Sequence, residues 1–476
     1  MDLLQVKGNQ IVDSQGRSVF LRGVCVGGWM NMEDFINGYP GPESGIREAV
    51  AQALGAEKAE FFFDRWLDYF FAEADVEFLK SLGCTVVRLP LNYHHFESDL
   101  APFQYLEKGF ARLSQAVEWC GKHGLYVLLD LHSVQGWQNT SWHCDNASGH
   151  SLFWTQKQYQ DRFVALWEEF ARRYKGNPVI AGYNVMNEPV ANAQRGFITR
   201  KNYEPGYAVL NQVYRRVVAA IRAIDPDHII FLEGDLFSSL FDGFDAPETL
   251  GANIAYSSHN YSEPGFGPGV YPDPAKGWDK AGQQQVFEKA SGTRFTRKYN
   301  VPLWVGEFGS AYNGPDHEIP YRLSALDDQL AVLNENQAHW TMWVYKDIFV
   351  MGWVQVAPNS SYIRTAAPAL KGKQAVFADF WMRWSPTTPV KDAVDVLAGQ
   401  IRETLSDVGL ETVIDDRYLE QSVLSDYTAL AMQPPFARLF AGLNEIQLDD
   451  ILKSFSFEHC RPHQGLLDVV CRHLPR

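Results

Sequence analysis

Gly182-Tyr183-Asn184-Val185-Met186-Asn187-Glu188-Pro189 is a short apolar run that ends abruptly on one carboxylate and a turn residue. Pro302-Leu303-Trp304-Val305-Gly306-Glu307-Phe308-Gly309 repeats the pattern and closes on Glu307. A strand of this kind is buried along its length and delivers a single ionisable group to the edge of a sheet. Similar text recurs at Val19–Val26, Thr85–Pro90, Tyr126–His132, Ile180–Asn187, His228–Glu233, Ile254–His259, Leu303–Glu307 and Trp340–Tyr345. Helical text separates these runs. Arg162–Tyr174 puts Phe163, Leu166, Trp167 and Phe170 on one face, and Tyr207–Ile224 does so with Val209, Leu210, Val213, Val217 and Ile221. Eight strand–helix units predict an α/β fold, a (β/α)8 TIM barrel whose chemistry sits at the C-terminal ends of the strands.

The barrel is expected to occupy residues 1–385 as the catalytic domain. From about Pro386 the text turns helical. Asp392–Val408 has Val394, Leu397, Ile401, Leu405 and Val408 at helical spacing and stops at Gly409. Tyr418–Met432 and Ala437–Phe455 read as further helices split by Pro434-Pro435. Residues 386–476 are therefore expected to form a helical extension, packed on the barrel or at a subunit interface, which leaves a homo-oligomer open. No internal repeat or low-complexity tract interrupts the chain.

With 476 residues, 46% hydrophobic and 14% aromatic, the chain can bury a large core. Its formal charge of −15 and lack of a basic run argue against nucleic acid and anionic membrane as partners. No stretch of 18 residues is continuously apolar, so no membrane span is expected. The opening Met1-Asp2-Leu3-Leu4-Gln5-Val6-Lys7 lacks a basic segment followed by an apolar one. A cytoplasmic location is the expectation, with a secreted form trimmed of its signal as the alternative. Cys25, Cys84, Cys120, Cys144, Cys460 and Cys471 lie far apart without CxxC spacing, which suits buried free thiols.

Other strand ends add polar groups. Arg88 closes Val86-Val87-Arg88, His132 follows Leu128-Leu129-Asp130-Leu131, and Asn187 precedes Glu188. His259 and Tyr261 come after the sixth strand, and Trp343 lies on the eighth, where an indole face suits a sugar ring. A buried arginine could orient a carboxylate through a charge-assisted pair. Singly each residue has a plain structural account, but six of the eight proposed strands carry such a group. Glu188 and Glu307, from distant parts of the chain, are the two carboxylates that glycoside hydrolysis requires. Three loops, Ser133–Gly149 with Trp137, Trp142, His143 and Asp145, Asp235–Gly251, and Asn260–Gly282, are long enough to be cleft walls.

Arg88, His132, Asn187-Glu188-Pro189, His259-x-Tyr261, Glu307-Phe308-Gly309 and Trp343 together resemble the signature of glycoside hydrolase family 5, the cellulase-type family, from about Gly23 to Lys346. The resemblance implies Glu188 as acid/base and Glu307 as nucleophile of a retaining β-glycosidase. It also implies that Asn187 meets the sugar 2-hydroxyl and that Arg88 and Tyr261 hold the nucleophile. His132 and His259 would line the site, with Trp343 beneath the sugar. A retaining pair should stand roughly 5–5.5 Å apart. Glu188 must be protonated to help the leaving group depart and ionised to activate water, whereas Glu307 must act as an anion.

Gly27-Gly28-Trp29-Met30-Asn31-Met32-Glu33 resembles the GGW…E segment of the exo-β-1,3-glucanase branch, and Gln138-Asn139 is similar to that branch too. Glu33 would then grip hydroxyls of a terminal sugar, making the site a pocket for one residue. Phe266, Tyr271 and Trp278 could serve a sugar or a lipid aglycone. The best expectation is an exo-acting β-glucosidase on small β-glycosides or oligosaccharides, without a cofactor or metal. The alternatives are an endo-β-glucanase, a glucosylated-lipid hydrolase and a non-catalytic carbohydrate-binding barrel. A metal-dependent barrel hydrolase using His132, His143, Cys144, Asp145 and His150 is a further rival, although no strong zinc spacing supports it.

Overall fold

The computed structural model describes residues 1–192, 203–261, 269–379, 381, 387–410 and 419–475. Eight parallel strands close a barrel in chain order: β1 (Arg22–Cys25), β2 (Val86–Asn92), β3 (Tyr126–Ser133), β4 (Ile180–Asn184), β5 (Ile229–Glu233), β6 (Ile254–Asn260), β7 (Leu303–Phe308) and β8 (His339–Met342). Every strand expected from the sequence is present, with shifted ends. The first begins at Arg22 because Val19 bonds instead to Ile11 of the hairpin Gln5–Lys7/Gln10–Val12. The fourth stops at Asn184, so Asn187 and Glu188 hang beyond it. The eighth stops at Met342, just before Trp343 and a cis Trp343–Val344 peptide.

Side chains from the strands fill the barrel, as an apolar run covered on both faces requires. At its N-terminal end, Val86, Leu128, Ala181, Ile229, Phe231, Ala255 and Trp304 pack with Leu4 and Ile11 of the hairpin. Outside, the helices Lys157–Tyr174 and Tyr207–Ile224 bury the faces expected of them, except that Val209 is only partly buried. Between β1 and β2 the chain carries three long helices, Glu43–Leu54, Ala56–Phe70 and Glu73–Leu82, where eight strand–helix units call for one.

The C-terminal segment is less purely helical than expected. Pro389–Asp407 and Glu445–Leu452 are helices, but Cys460–Pro462 is a strand paired antiparallel with Val354–Val356. Pro434-Pro435 does not split the helices; Ala429–Arg438 runs through both. The break comes at Gly442, whose φ of +79° is a left-handed conformation, followed by Asn444 capping the next helix. Phe436, Phe440, Leu448, Phe455 and Leu474 belong to the same apolar cluster as Trp66, Tyr345 and Trp353, so barrel and extension share one core. Tyr418, the expected start of one helix, lies outside the described residues. No described helix is long and apolar enough to cross a membrane.

Candidate active site

Arg88 organises the C-terminal end of the barrel. It is fully buried on β2, and its Nη1 donates to Glu307 Oε1 at 2.7 Å. Nη2 reaches Asn187 Oδ1 at 2.8 Å, Glu233 Oε1 at 3.1 Å and Asp130 Oδ2 at 3.1 Å, while Nε donates to Asn184 Oδ1 at 3.1 Å. Burial alone would favour a neutral guanidine. The charges of Asp130, Cys25, Glu307 and Glu233 outweigh it and hold Arg88 well above its ordinary pKa.

Glu307 sits near the end of β7 and takes a second bond from Tyr261 Oη at 2.9 Å. Glu188 lies opposite, with φ of +46°, an unfavourable conformation for a residue with a Cβ. Its backbone is held there from two sides. Glu188 N–H donates to Glu233 Oε2 at 2.8 Å, and Glu188 O accepts from Asn139 Nδ2 at 2.9 Å. Its carboxylate meets His259 Nδ1 through Oε1 at 2.7 Å and His143 Nε2 through Oε2 at 3.0 Å. Burial raises the pKa of Glu188; hydrogen bonds donated by both His143 and His259 would outweigh it and hold the carboxyl well below the usual range. Oxygens of Glu188 and Glu307 lie within 4.8 Å of each other.

His132 and Glu33 form the other wall. His132 Nδ1 is 2.7 Å from Asp130, and Nε2 is 3.5 Å from Glu33 Oε1 and 3.2 Å from Asn187 Nδ2. Burial works against its charge, but Asp130 and Glu33 push its pKa up to about 10. Burial pushes Glu33 upward, against the hydrogen bond from His132. Trp343 stacks on His132 with ring centres 5.4 Å apart and planes at 9°. A Cβ on Gly27 would lie 2.5 Å from that indole, so glycine lets the chain after β1 pass close against it.

All of the proposed residues gather at this end of the barrel, but not all face the cleft. Gln138 is a correction. Its Nε2 donates to the carbonyls of His132 and Asn187, and its Oε1 accepts from Val134 N, so this fully buried amide is committed to backbone and not to sugar. Asn139 likewise spends its amide on Glu188 O, Ser141 N and His143. The rival metal set does not converge. Cys144 Sγ donates to Asn139 and Ser141, Asp145 accepts from Ser44 N and Asn92 Nδ2, and His150 is exposed. Tyr271 turns to Asp328, Trp278 sits under Lys276, and Phe266 lies outside the described residues.

Four contributors were missed. Glu233 closes the apolar run Ile229-Ile230-Phe231-Leu232, the same signal that marked Glu188 and Glu307. Asp130 and Asn184 stand within strands as polar interruptions with an equally visible signal. His143 gave no such sign, because only the folded loop brings it to Glu188.

A run of ring contacts links the loops at this end of the barrel. His143 lies 6.2 Å from Phe237 and 5.8 Å from Trp142; Trp142 lies 6.0 Å from Phe35. Phe35 packs on Trp381 at 5.4 Å, and Trp381 on Tyr261 at 5.8 Å. Trp381 is secured by its N–H to Asp379 and by its carbonyl to Asn313 Nδ2. Asp379 in turn pairs at 2.7 Å with the buried Lys373, whose ammonium also holds the carbonyls of Asp34 and Tyr39.

The sequence model described as cellulase, glycosyl hydrolase family 5, matches residues 49–348. A protein named beta-xylosidase from Phanerodontia chrysosporium is 37% identical over 99% of this chain and 98% of its own. One named cellodextrinase A from Ruminococcus flavefaciens is 27% identical over 61% of this chain and 75% of its own. Among solved structures, an endogalactoceramidase overlays 73% of this chain and 75% of its own with a TM-score of 0.51 at 19% identity, a likeness of fold.

Proposed function

This chain belongs to glycosyl hydrolase family 5, enzymes that hydrolyse O-glycosyl bonds, and from that premise we propose an exo-acting, retaining β-glycosidase. The observation that carries the reading is the pair of carboxylates within 4.8 Å, each differently held. That closeness supports direct attack by one carboxylate, since a retaining pair stands about 5–5.5 Å apart. Glu307, fixed by Arg88 and Tyr261, attacks the anomeric carbon while Glu188 protonates the departing oxygen. Glu188 then takes a proton from water as that water displaces Glu307. Asn187, oriented by Arg88, is the donor for the 2-hydroxyl, and Trp343 is the floor.

Exo action is supported by Glu33 and the run of rings. Glu33, 3% exposed, stands beside His132 where it can accept from hydroxyls of a single terminal sugar. Rings from the loops after β1, β3, β5 and β6, with Trp381, form a continuous run of contacts at the same end of the barrel and support a restricted opening. The substrate class is a β-glucoside or, by likeness to the relative named beta-xylosidase, a β-xyloside. The test uses aryl β-glucoside and aryl β-xyloside beside oligosaccharides blocked at the non-reducing end. Release of one sugar from the former and none from the latter is expected; internal cleavage of blocked chains overturns exo action. With Glu307→Ala, azide should restore turnover as the α-glycosyl azide, and a β-azide would contradict the assignment of nucleophile.

A further inference from the structure

We propose that His143 is a positioning residue that accepts the acid proton of Glu188 at Nε2, so the loop after β3 sets the protonation of the acid/base. The inference rests on Glu188 acting as proposed above. It begins from Asn139, whose amide cannot be flipped. Its Oδ1 accepts from Ser141 N at 2.9 Å, which places Nδ2 at the opposite end. Nδ2 donates to Glu188 O at 2.9 Å and lies 3.2 Å from His143 Nε2. An amide NH2 can only donate, so Nε2 must present its lone pair and the ring proton must be on Nδ1.

The consequence falls on Glu188. Its Oε2 is 3.0 Å from the same Nε2. Two lone pairs at that distance repel, whereas a proton on Oε2 gives an O–H donor sharing the acceptor with Asn139. His259 serves the other oxygen, donating from Nδ1 to Oε1 at 2.7 Å. The carboxyl therefore sits between one donor and one acceptor. Were both rings donors, both would favour the anion and oppose the protonated form that a leaving group needs.

The remaining charged and titratable groups around the pair are accounted for. Glu233 takes the Glu188 N–H, and Glu307 and Tyr261 face it from β7 and the end of β6. Arg88 pairs with Glu307; Cys144 is a buried thiol; and His132 and Glu33 flank His143 from β3 and the loop after β1. None supplies a second acceptor to Oε2.

In the reaction, the glycosidic oxygen replaces Nε2 as acceptor of the Oε2 proton. That proton moves to the leaving oxygen as the C–O bond breaks with its electron pair, and Glu307 bonds to the anomeric carbon. Glu188, now an anion, keeps the His259 donor. It takes a proton from water as the water oxygen displaces Glu307, and the O–H to His143 re-forms.

The tautomer is read directly by nitrogen NMR of the 15N-histidine-labelled full chain, on the pH plateau of kcat/KM, with His143 assigned by its absence in His143→Phe. A neutral ring protonated on Nδ1 is expected; an Nε2–H or doubly protonated ring overturns the proposal. In His143→Phe the alkaline limb of kcat/KM should fall by about one pH unit, the effect of one lost hydrogen bond to the neutral acid. A limb that rises, as loss of a donor would cause, or stays fixed counts against it. The loss should also be at least about tenfold greater for an alkyl or phenyl glycoside than for a dinitrophenyl glycoside, which needs no acid; equal losses overturn it. Absence of aryl-glycoside turnover in the unaltered protein would sink the proposed reaction instead, while the tautomer still judges His143.

Discussion

Arg88 shows how one buried residue can govern a site. Three carboxylates, Asp130, Glu233 and Glu307, meet a guanidinium without solvent access. Removing one partner of such a set leaves an uncompensated charge, at a cost of about 3–5 kcal/mol. Glu233 gives this a pH signature. Burial raises its pKa, but His259, Arg88 and the Glu188 N–H bring it down to about 2 from an ordinary 4.5. A folded-state pKa below the unfolded one means stability that is full above about 4.5 and lost as pH falls towards 2. His132, pushed up to about 10 from 6.5, contributes in the opposite sense: fully below 6.5, lost as pH rises through 10. The difference in thermal stability between the unaltered protein and Glu233→Gln should therefore narrow as pH drops from about 4.5, by an amount on the order of a few kcal/mol. A gap that widens on acidification would refute this origin. Glu233 was legible, since an apolar run closing on a carboxylate is what identified its two neighbours. His143 was not, because its role depends on a loop geometry that no local pattern encodes.

Among elements, the barrel strands were the clearest in the sequence because a doubly covered strand must be almost wholly apolar. Their ends were not, since the backbone bends while inter-strand bonds continue, as from Asn187 N–H to Leu131 O and from Trp343 N–H to Phe308 O. Pro434-Pro435 misled for a physical reason. Proline normally breaks a helix, but here the following Phe436 and Ala437 are buried in the shared core, and that packing carries the helix on to Arg438. Gln433 on the same helix donates to the carbonyls of Pro40 and Pro42, in the loop that follows Glu33. The C-terminal segment thus steadies the loop that carries Glu33. Gln433→Leu should raise KM several-fold while altering kcat less, as steady-state kinetics would show, because each lost bond is worth roughly 1 kcal/mol and acts on binding geometry. A fall in kcat at constant KM would place the effect elsewhere.

At the scale of the whole molecule, the barrel gathers the two carboxylates and the segments grafted onto it bring aromatic rings to the same end. Phe35 from the loop after β1 and Tyr261 from the end of β6 meet Trp381, which stands beyond the stretch matched by the family model. Lys373, buried and bonded to Asp379, Asp34 and Tyr39, locks that late segment to the first loop. The sequence suggested a pocket through Glu33 alone, because rings drawn from such distant positions form no pattern along the chain.

Those aromatic side chains have a kinetic consequence for the proposed double displacement. If they leave a single mouth, then whatever departs first vacates the only route by which the proposed covalent intermediate can be approached. Water must arrive through the seat of the lost aglycone, and so must any competitor. An alcohol shaped like that aglycone should intercept the bound sugar before water does and yield a new glycoside. With rising concentrations of a benzyl or phenethyl alcohol, free sugar should decline in favour of the new β-glycoside while aryl release continues. Chromatography of both products would show it, and undiminished free sugar would mean that water has a second door.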